Sequence, residues 1–188
     1  MAGGRISVRD ELRSVIFWQA VLAEFVGMFF FIFIGVSSIS AWDRPNIPSQ
    51  VQISLAFGLG LATFVHVTAH ISGGHLNPAV SLAFLAMHKI SPVRCLAYTL
   101  AQIVGAIIAA GMVKAVTPAA VAGGIGATTP GTDVADWQAF LMEVFLTAQL
   151  VIVIFATVDS RRKSPGGSGP LAIGISVAVA HLAAVSIP

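Results

Sequence analysis

The sequence predicts an all-α membrane protein with five spans and one re-entrant half-helix, built from an inverted repeat. Three observations carry that prediction. Hydrophobic residues make up 56% of the 188 residues and charged residues 10%, against about 25% charged in an average soluble domain. Mean hydropathy is +0.90. The apolar residues fall into long runs parted by short polar segments. Two stretches far apart in the chain then repeat each other. A water-soluble globule needs a polar skin that this composition cannot supply, which excludes an ordinary soluble enzyme and a disordered tail. A net charge of only +2 gives no footing for nucleic acid. Cys95 is the only cysteine, so no disulfide forms within the chain, and no Cys/His spacing suggests a zinc site.

The first 14 residues are polar and carry Arg5, Arg9 and Arg13. Residues 15–41 are apolar apart from Gln19 and Glu24 and Gly27, Gly35 and a few serines. This run exceeds the apolar core of a signal peptide and reaches the ~20 residues that a span requires, so it is read as the first span. Residues 46–88 contain no Asp, Glu, Lys or Arg. In their middle lies His70-Ile-Ser-Gly-Gly-His-Leu-Asn-Pro-Ala79, with glycines and a proline where a spanning helix should be continuous. The economical division is a span over residues 51–67, a loop, and a short helix over residues 78–87. Ten helical residues rise ~15 Å, about half of a hydrocarbon core. A third span is expected over residues 95–116, a Gly/Thr/Pro-rich linker over 117–136, a fourth span over 137–158 with Glu143 inside it, and a fifth from 170 onward.

Charge sets the orientation. With the N-terminus in the cytoplasm, the inner segments hold Arg5, Arg9, Arg13, Lys89, Arg94, Arg161, Arg162 and Lys163, while the outer ones hold Arg44 and Lys114. That asymmetry follows the positive-inside rule. It requires the half-helix to begin and end on one side, which is a re-entrant path.

Trp18-Gln-Ala-Val-Leu-Ala-Glu24 matches Trp137-Gln-Ala-Phe-Leu-Met-Glu143, and Leu55-Ala-Phe-Gly58 matches Leu171-Ala-Ile-Gly174. Residues 1–116 are therefore read as a first repeat, 117–136 as an extracellular linker, and 137–188 as part of a second repeat. An odd number of spans separates the copies, so the second is inverted, and inverted repeats with broken helices place their site at the midplane. The interval from Gly58 to Gly174 carries Asn77 to a partner beyond Pro188. A second Asn-Pro-Ala loop and a sixth span are accordingly expected past the last residue.

Asn77 and Pro78 are favoured at N-cap and N1 of a helix. Capping by the Asn77 side-chain oxygen leaves its NH2 as a donor pointing away from the helix. Irregular backbone at membrane depth is tolerated where it lines a cavity or is buried in protein. The carbonyls of Gly73, Gly74 and His75 are then candidate acceptors for a polar permeant, and the half-helix N-terminus, with about +0.5 of a charge, disfavours cations.

At His70-Ile-Ser-Gly-Gly-His-Leu-Asn-Pro-Ala-Val80 the sequence resembles the aquaporins, closest to the animal water-selective branch, and the resemblance extends over nearly the whole chain. It implies a right-handed helix bundle and a passive water channel that excludes protons and ions, with water as permeant, a homotetramer in the plasma membrane, no cofactor and no catalytic residue. Asn77, Pro78 and Ala79 match the first pore motif. Glu24, Gln102 and Glu143 match positions that hold the loop backbones. Phe57 and His181 match two of four positions of a selectivity constriction, and His181 argues for water over polyols.

Other readings weigh against these. A glycerol-permeable member is the nearest alternative, followed by an inverted-repeat transporter and by a membrane scaffold with little flux. His66, His70 and His88 are assigned to structure, and Cys95 is taken as inert. Arg161-Arg-Lys-Ser164 is read first as a charge cluster that fixes topology. It also resembles a kinase target, so Ser164 is a candidate phosphorylation site.

Overall fold

The helix starts follow from local hydrogen-bonding chemistry. The computed structural model describes residues 7–40, 47–118, 129–131, 133–161 and 167–184. Among them are seven helices: α1 (Val8–Arg13), α2 (Val15–Ser37), α3 (Gln50–Ser72), α4 (Pro78–Ala86), α5 (Pro92–Val116), α6 (Asp136–Val158) and α7 (Gly169–Ala184). Ser7, Ser49 and Ser91 each stand at an N-cap and accept from the backbone N–H three residues on, at 3.2, 3.1 and 3.0 Å. Pro78 and Pro92 occupy the first helical positions, where the missing N–H costs nothing.

Four helices, α2, α3, α5 and α6, are long and apolar enough to cross a membrane. The fifth expected span is α7, with 16 residues among those described. The half-helix is α4, of 9 residues, or ~13 Å. Two expectations shift. The second span runs on to Ser72 rather than stopping near residue 67, because His66, Thr68, His70 and Ser72 continue α3 until Gly73 takes φ +96°. Such a conformation suits glycine, which has no Cβ to clash. The N-terminal polar stretch is not simply a tail, since it contains α1. Arg5, Arg44, Arg162, Lys163, Ser164 and most of the 117–136 linker lie outside the described residues.

The re-entrant path is visible in two contacts. Glu11 of α1 meets Ser91 and Arg94 at the start of α5. Tyr98, one turn further along α5, bonds the Ser72 carbonyl at the end of α3. The start of α2, the end of α3 and the start of α5 therefore share one end of the bundle. The loop after Ser72 enters the bundle from that end, and α4 brings the chain back to it.

Small residues permit a close helix crossing between α3 and α7. A Cβ at Gly58 would lie 2.6 Å from both the Gly174 carbonyl oxygen and the Ala178 Cβ. Leu61, Val65, Leu76, Val80, Leu150, Ile154 and Ile173 form the apolar core, which joins α3, the loop, α4, α6 and α7. The outward faces of α2 and α5 expose apolar side chains such as Phe30, Ile34, Leu100 and Ile107, as suits contact with lipid.

Candidate functional site

The site is built where α3 ends and α4 begins. Gly73 and Gly74 both take positive φ, +96° and +63°. Leu76 does so too, at +43°, an uncommon backbone state for a residue with a branched side chain. Its side chain is 1% exposed within the core, and something must hold its backbone there.

That restraint is Glu24. The side chain is 0% exposed and lies in the middle of α2. Oε1 accepts from Ser72 Oγ at 2.6 Å and from the His75 N–H at 2.9 Å. Oε2 accepts from the Leu76 N–H at 2.7 Å and from Gln102 Nε2 at 2.8 Å. Four donors thus converge on one buried carboxylate, the condition under which such a group can be kept inside a protein. A Cβ on Gly27, one turn from Glu24, would meet Leu76 Cδ2 at 2.6 Å, so the loop lies hard against α2.

Asn77 follows with φ −163°, and its Oδ1 accepts from the Ala79 N–H at 2.8 Å. The amide oxygen is thereby committed to capping α4. The amide nitrogen has no protein partner among the described residues. Ser81, in the first turn of α4, is 0% exposed. Its Oγ lies 3.0 Å from His75 Nδ1 and 3.3 Å from Gln102 Nε2. The His75 ring is packed against Phe84 at 4.4 Å and edge-on to Tyr98 at 5.3 Å.

On the same flank a cavity of about 160 Å³ is lined by Gly73, Gly74, His75, Phe84, Ile154 and Thr157 among others. Toward the far end of α3 and α7, Phe57 and His181 stack, with ring centroids 4.6 Å apart and planes 20° apart. Gly35 makes room for this pair, because a Cβ there would lie 2.5 Å from the Phe57 ring.

The structure therefore brings Glu24, Gln102, Gly73, Gly74, His75, Asn77, Pro78 and Ala79 into one region, and Phe57 and His181 into another. Glu143 has no contact with the loop, but it lies close enough to His181 for its charge to act on that ring. It is exposed on α6 and has no hydrogen-bond partner among the described residues. Ser164 lies outside the described residues. Sequence reading missed Ser72, Leu76, Ser81 and Tyr98. Ser81 and Tyr98 act through contacts distant in the chain and carry no local motif. Ser72 sits beside Gly73 and Gly74, and that composition reads as loop.

The profile of the major intrinsic protein family matches residues 11–188. The lens fiber major intrinsic protein of Ovis aries is 44% identical over 172 residues, which is 92% of this chain and 65% of that protein. Aquaporin-4 of Mus musculus is 46% identical over 173 residues, 90% of this chain and 54% of that protein. The chain thus spans less than two thirds of the length of these relatives. Among solved structures, the X-ray structure of the aquaglyceroporin from Plasmodium falciparum superposes with a TM-score of 0.79 over 88% of this chain and 72% of that one, at 22% identity. That likeness concerns the fold alone. With the loop geometry, four long apolar helices and a family match over nearly its full length, the chain is an integral multi-pass membrane protein that belongs to the major intrinsic protein family, whose members are channels and not enzymes.

Proposed function

We propose that the chain forms the pathway of a passive water channel that conducts along osmotic gradients and excludes protons and ions. The observation that carries this reading is the commitment of Asn77 Oδ1 to the Ala79 N–H, on a loop that Glu24 fixes from behind. The amide then has only its NH2 to offer. It stands at the half-helix N-terminus, where the backbone dipole adds partial positive charge. A water oxygen accepting from this NH2 has its hydrogens turned away, which interrupts a chain of hydrogen bonds along a file. The same positive end repels hydronium and metal cations. Gly73, Gly74 and His75 supply backbone groups beside the cavity.

The Phe57–His181 stack supports water over larger polyols. The stacked rings form one wall of a constriction, with the imidazole as its polar edge. Orientation and assembly belong to the same proposal. The N-terminus lies in the cytoplasm of a plasma-membrane homotetramer. The gathering of Arg94 and the α1 segment at one end of the bundle agrees with the positive-inside rule.

The test is stopped-flow light scattering of vesicles holding the full-length protein. Water flux well above protein-free vesicles is expected, with glycerol flux at their level, and His181→Gly is expected to raise glycerol flux relative to water. Water flux equal to the protein-free control would refute the channel. Glycerol passage that His181→Gly leaves unchanged would refute the account of the constriction.

A further inference from the structure

The Glu24 contacts form one end of a longer chain of hydrogen bonds. Its other end is α1, outside the spans. Glu11 is 9% exposed although it lies on a surface helix. Its Oε2 accepts from Ser91 Oγ at 2.6 Å and its Oε1 from Arg94 Nε at 3.0 Å. Arg94 Nη1 donates to the Tyr98 oxygen at 3.3 Å. The guanidinium also lies 5.3 Å from the Phe17 ring centroid, which fixes it from a second side. Tyr98, the only tyrosine in the sequence, is 0% exposed, and its hydroxyl donates to the Ser72 carbonyl at 2.9 Å.

Ser72 is where this chain meets the loop. Its carbonyl takes the phenol, while its Oγ donates to Glu24 and accepts from the Gly74 N–H at 3.0 Å. Ser72 is also the last residue of α3, and Gly73 and Gly74 after it take positive φ. The direction in which the loop leaves α3 is therefore set by the two groups from other helices that hold Ser72: Glu24 from α2 and Tyr98 from α5. Glu24 takes the backbone N–H groups of His75 and Leu76 beyond Ser72. Tyr98 alone ties the loop to the surface helix.

We infer that Tyr98, backed by Arg94 and Glu11, is a positioning residue for loop 73–76, so that the seating of α1 helps to set the rate at which the channel conducts. The inference rests on the channel reading above. Its logic is mechanical. Loss of the Tyr98 hydroxyl releases the Ser72 carbonyl and removes one acceptor from Arg94. Loss of the Glu11 charge frees Arg94 to turn away from Tyr98. Both changes act on Ser72 through one line of contacts, so their effects overlap instead of adding.

The test uses the full-length protein in phosphatidylcholine/phosphatidylglycerol vesicles, with Tyr98→Phe, Glu11→Gln and the double variant. Osmotic water flux is normalised to the amount of folded protein. Each single variant is expected to lower flux per channel about fivefold, the ratio that corresponds to one ordinary hydrogen bond, and the double variant no further than the worse single. Fluorotyrosine labelling gives a second readout: the 19F resonance that Tyr98→Phe deletes is expected to move in Glu11→Gln. Glu11→Gln lies outside the packed spans and keeps the test open if Tyr98→Phe fails to fold. A wild type that conducts while both variants match it would overturn the inference alone, as would single effects that multiply in the double. An unmoved resonance in Glu11→Gln would also overturn it. A wild type without flux would overturn the channel reading itself.

Discussion

Glu24 and Glu143 close the same seven-residue pattern, yet among the described residues their surroundings differ. Glu24 is buried and receives four hydrogen bonds, two of them from the backbone of the loop. Glu143 is exposed and receives none among the described residues. The helix that carries a carboxylate therefore does not decide its role. What decides it is the presence of a re-entrant loop whose N–H groups point at it. An ionised group inside a span is tolerated when such donors surround it, and here the loop and the carboxylate stabilise each other.

The largest effect is expected at Glu24. Glu24→Ala leaves the His75 and Leu76 N–H groups without an acceptor, at roughly 2 kcal/mol each. A loss of about 4 kcal/mol in detergent-solubilised protein is expected, together with loss of water flux. A thermal-unfolding series would break the comparison if this variant melted like wild type. Next comes the crossing that brings α7 against α3. Gly58→Leu forces a side chain into the Gly174 backbone and is expected to cost about 3 kcal/mol, with the Phe57–His181 stack separated. Asn77→Ala removes the cap of α4 and is expected to cost about 1 kcal/mol, less than the loss of the carboxylate behind it.

In a protein of these 188 residues alone, Glu143→Gln is expected to change stability by less than about 0.5 kcal/mol. A cost approaching that of Glu24→Ala would mean that Glu143 too is held by loop groups, and the contrast would vanish. The smallest effect lies outside the spans. Arg161 donates to both oxygens of Asp159, and these bonds pull its carboxyl down to about 2. A depressed carboxylate favours the native arrangement above its ordinary range and loses that contribution as pH falls through about 2. An NMR titration of Asp159 should therefore show its midpoint there, and Arg161→Ala should raise it part of the way toward the ordinary carboxylate range, since the backbone N–H at residue 161 still donates to it.

Much of this arrangement is legible in the sequence because it is written locally. Asn77-Pro78 announces a helix start by cap chemistry, and α4 begins at Pro78 as expected. The charge-free stretch around it, too long for one span, calls for a loop and a half-helix. The end of α3 was less legible. His70 and Ser72 read as a polar loop, whereas tertiary partners for Ser72 keep the segment helical to its last turn. α1 was missed, although Ser7 stands three residues before Asp10 in a capping pattern, because six residues of helix leave no hydrophobic period to read. Tyr98 and Ser81 were invisible for a different reason. Each matters through a contact with a residue far along the chain, and no spacing in the sequence records that contact.

The most direct test of the account is a paired measurement of water and proton flux in the same vesicles carrying the full-length protein. An osmotic step reports water, and an internal pH dye under an imposed pH gradient reports protons. A loop held by Glu24, with the Asn77 amide offering only its donors, predicts rapid water passage with proton leakage at the protein-free level. Proton flux that rises in step with water flux would contradict it, since a water file free to relay protons is not one oriented at Asn77.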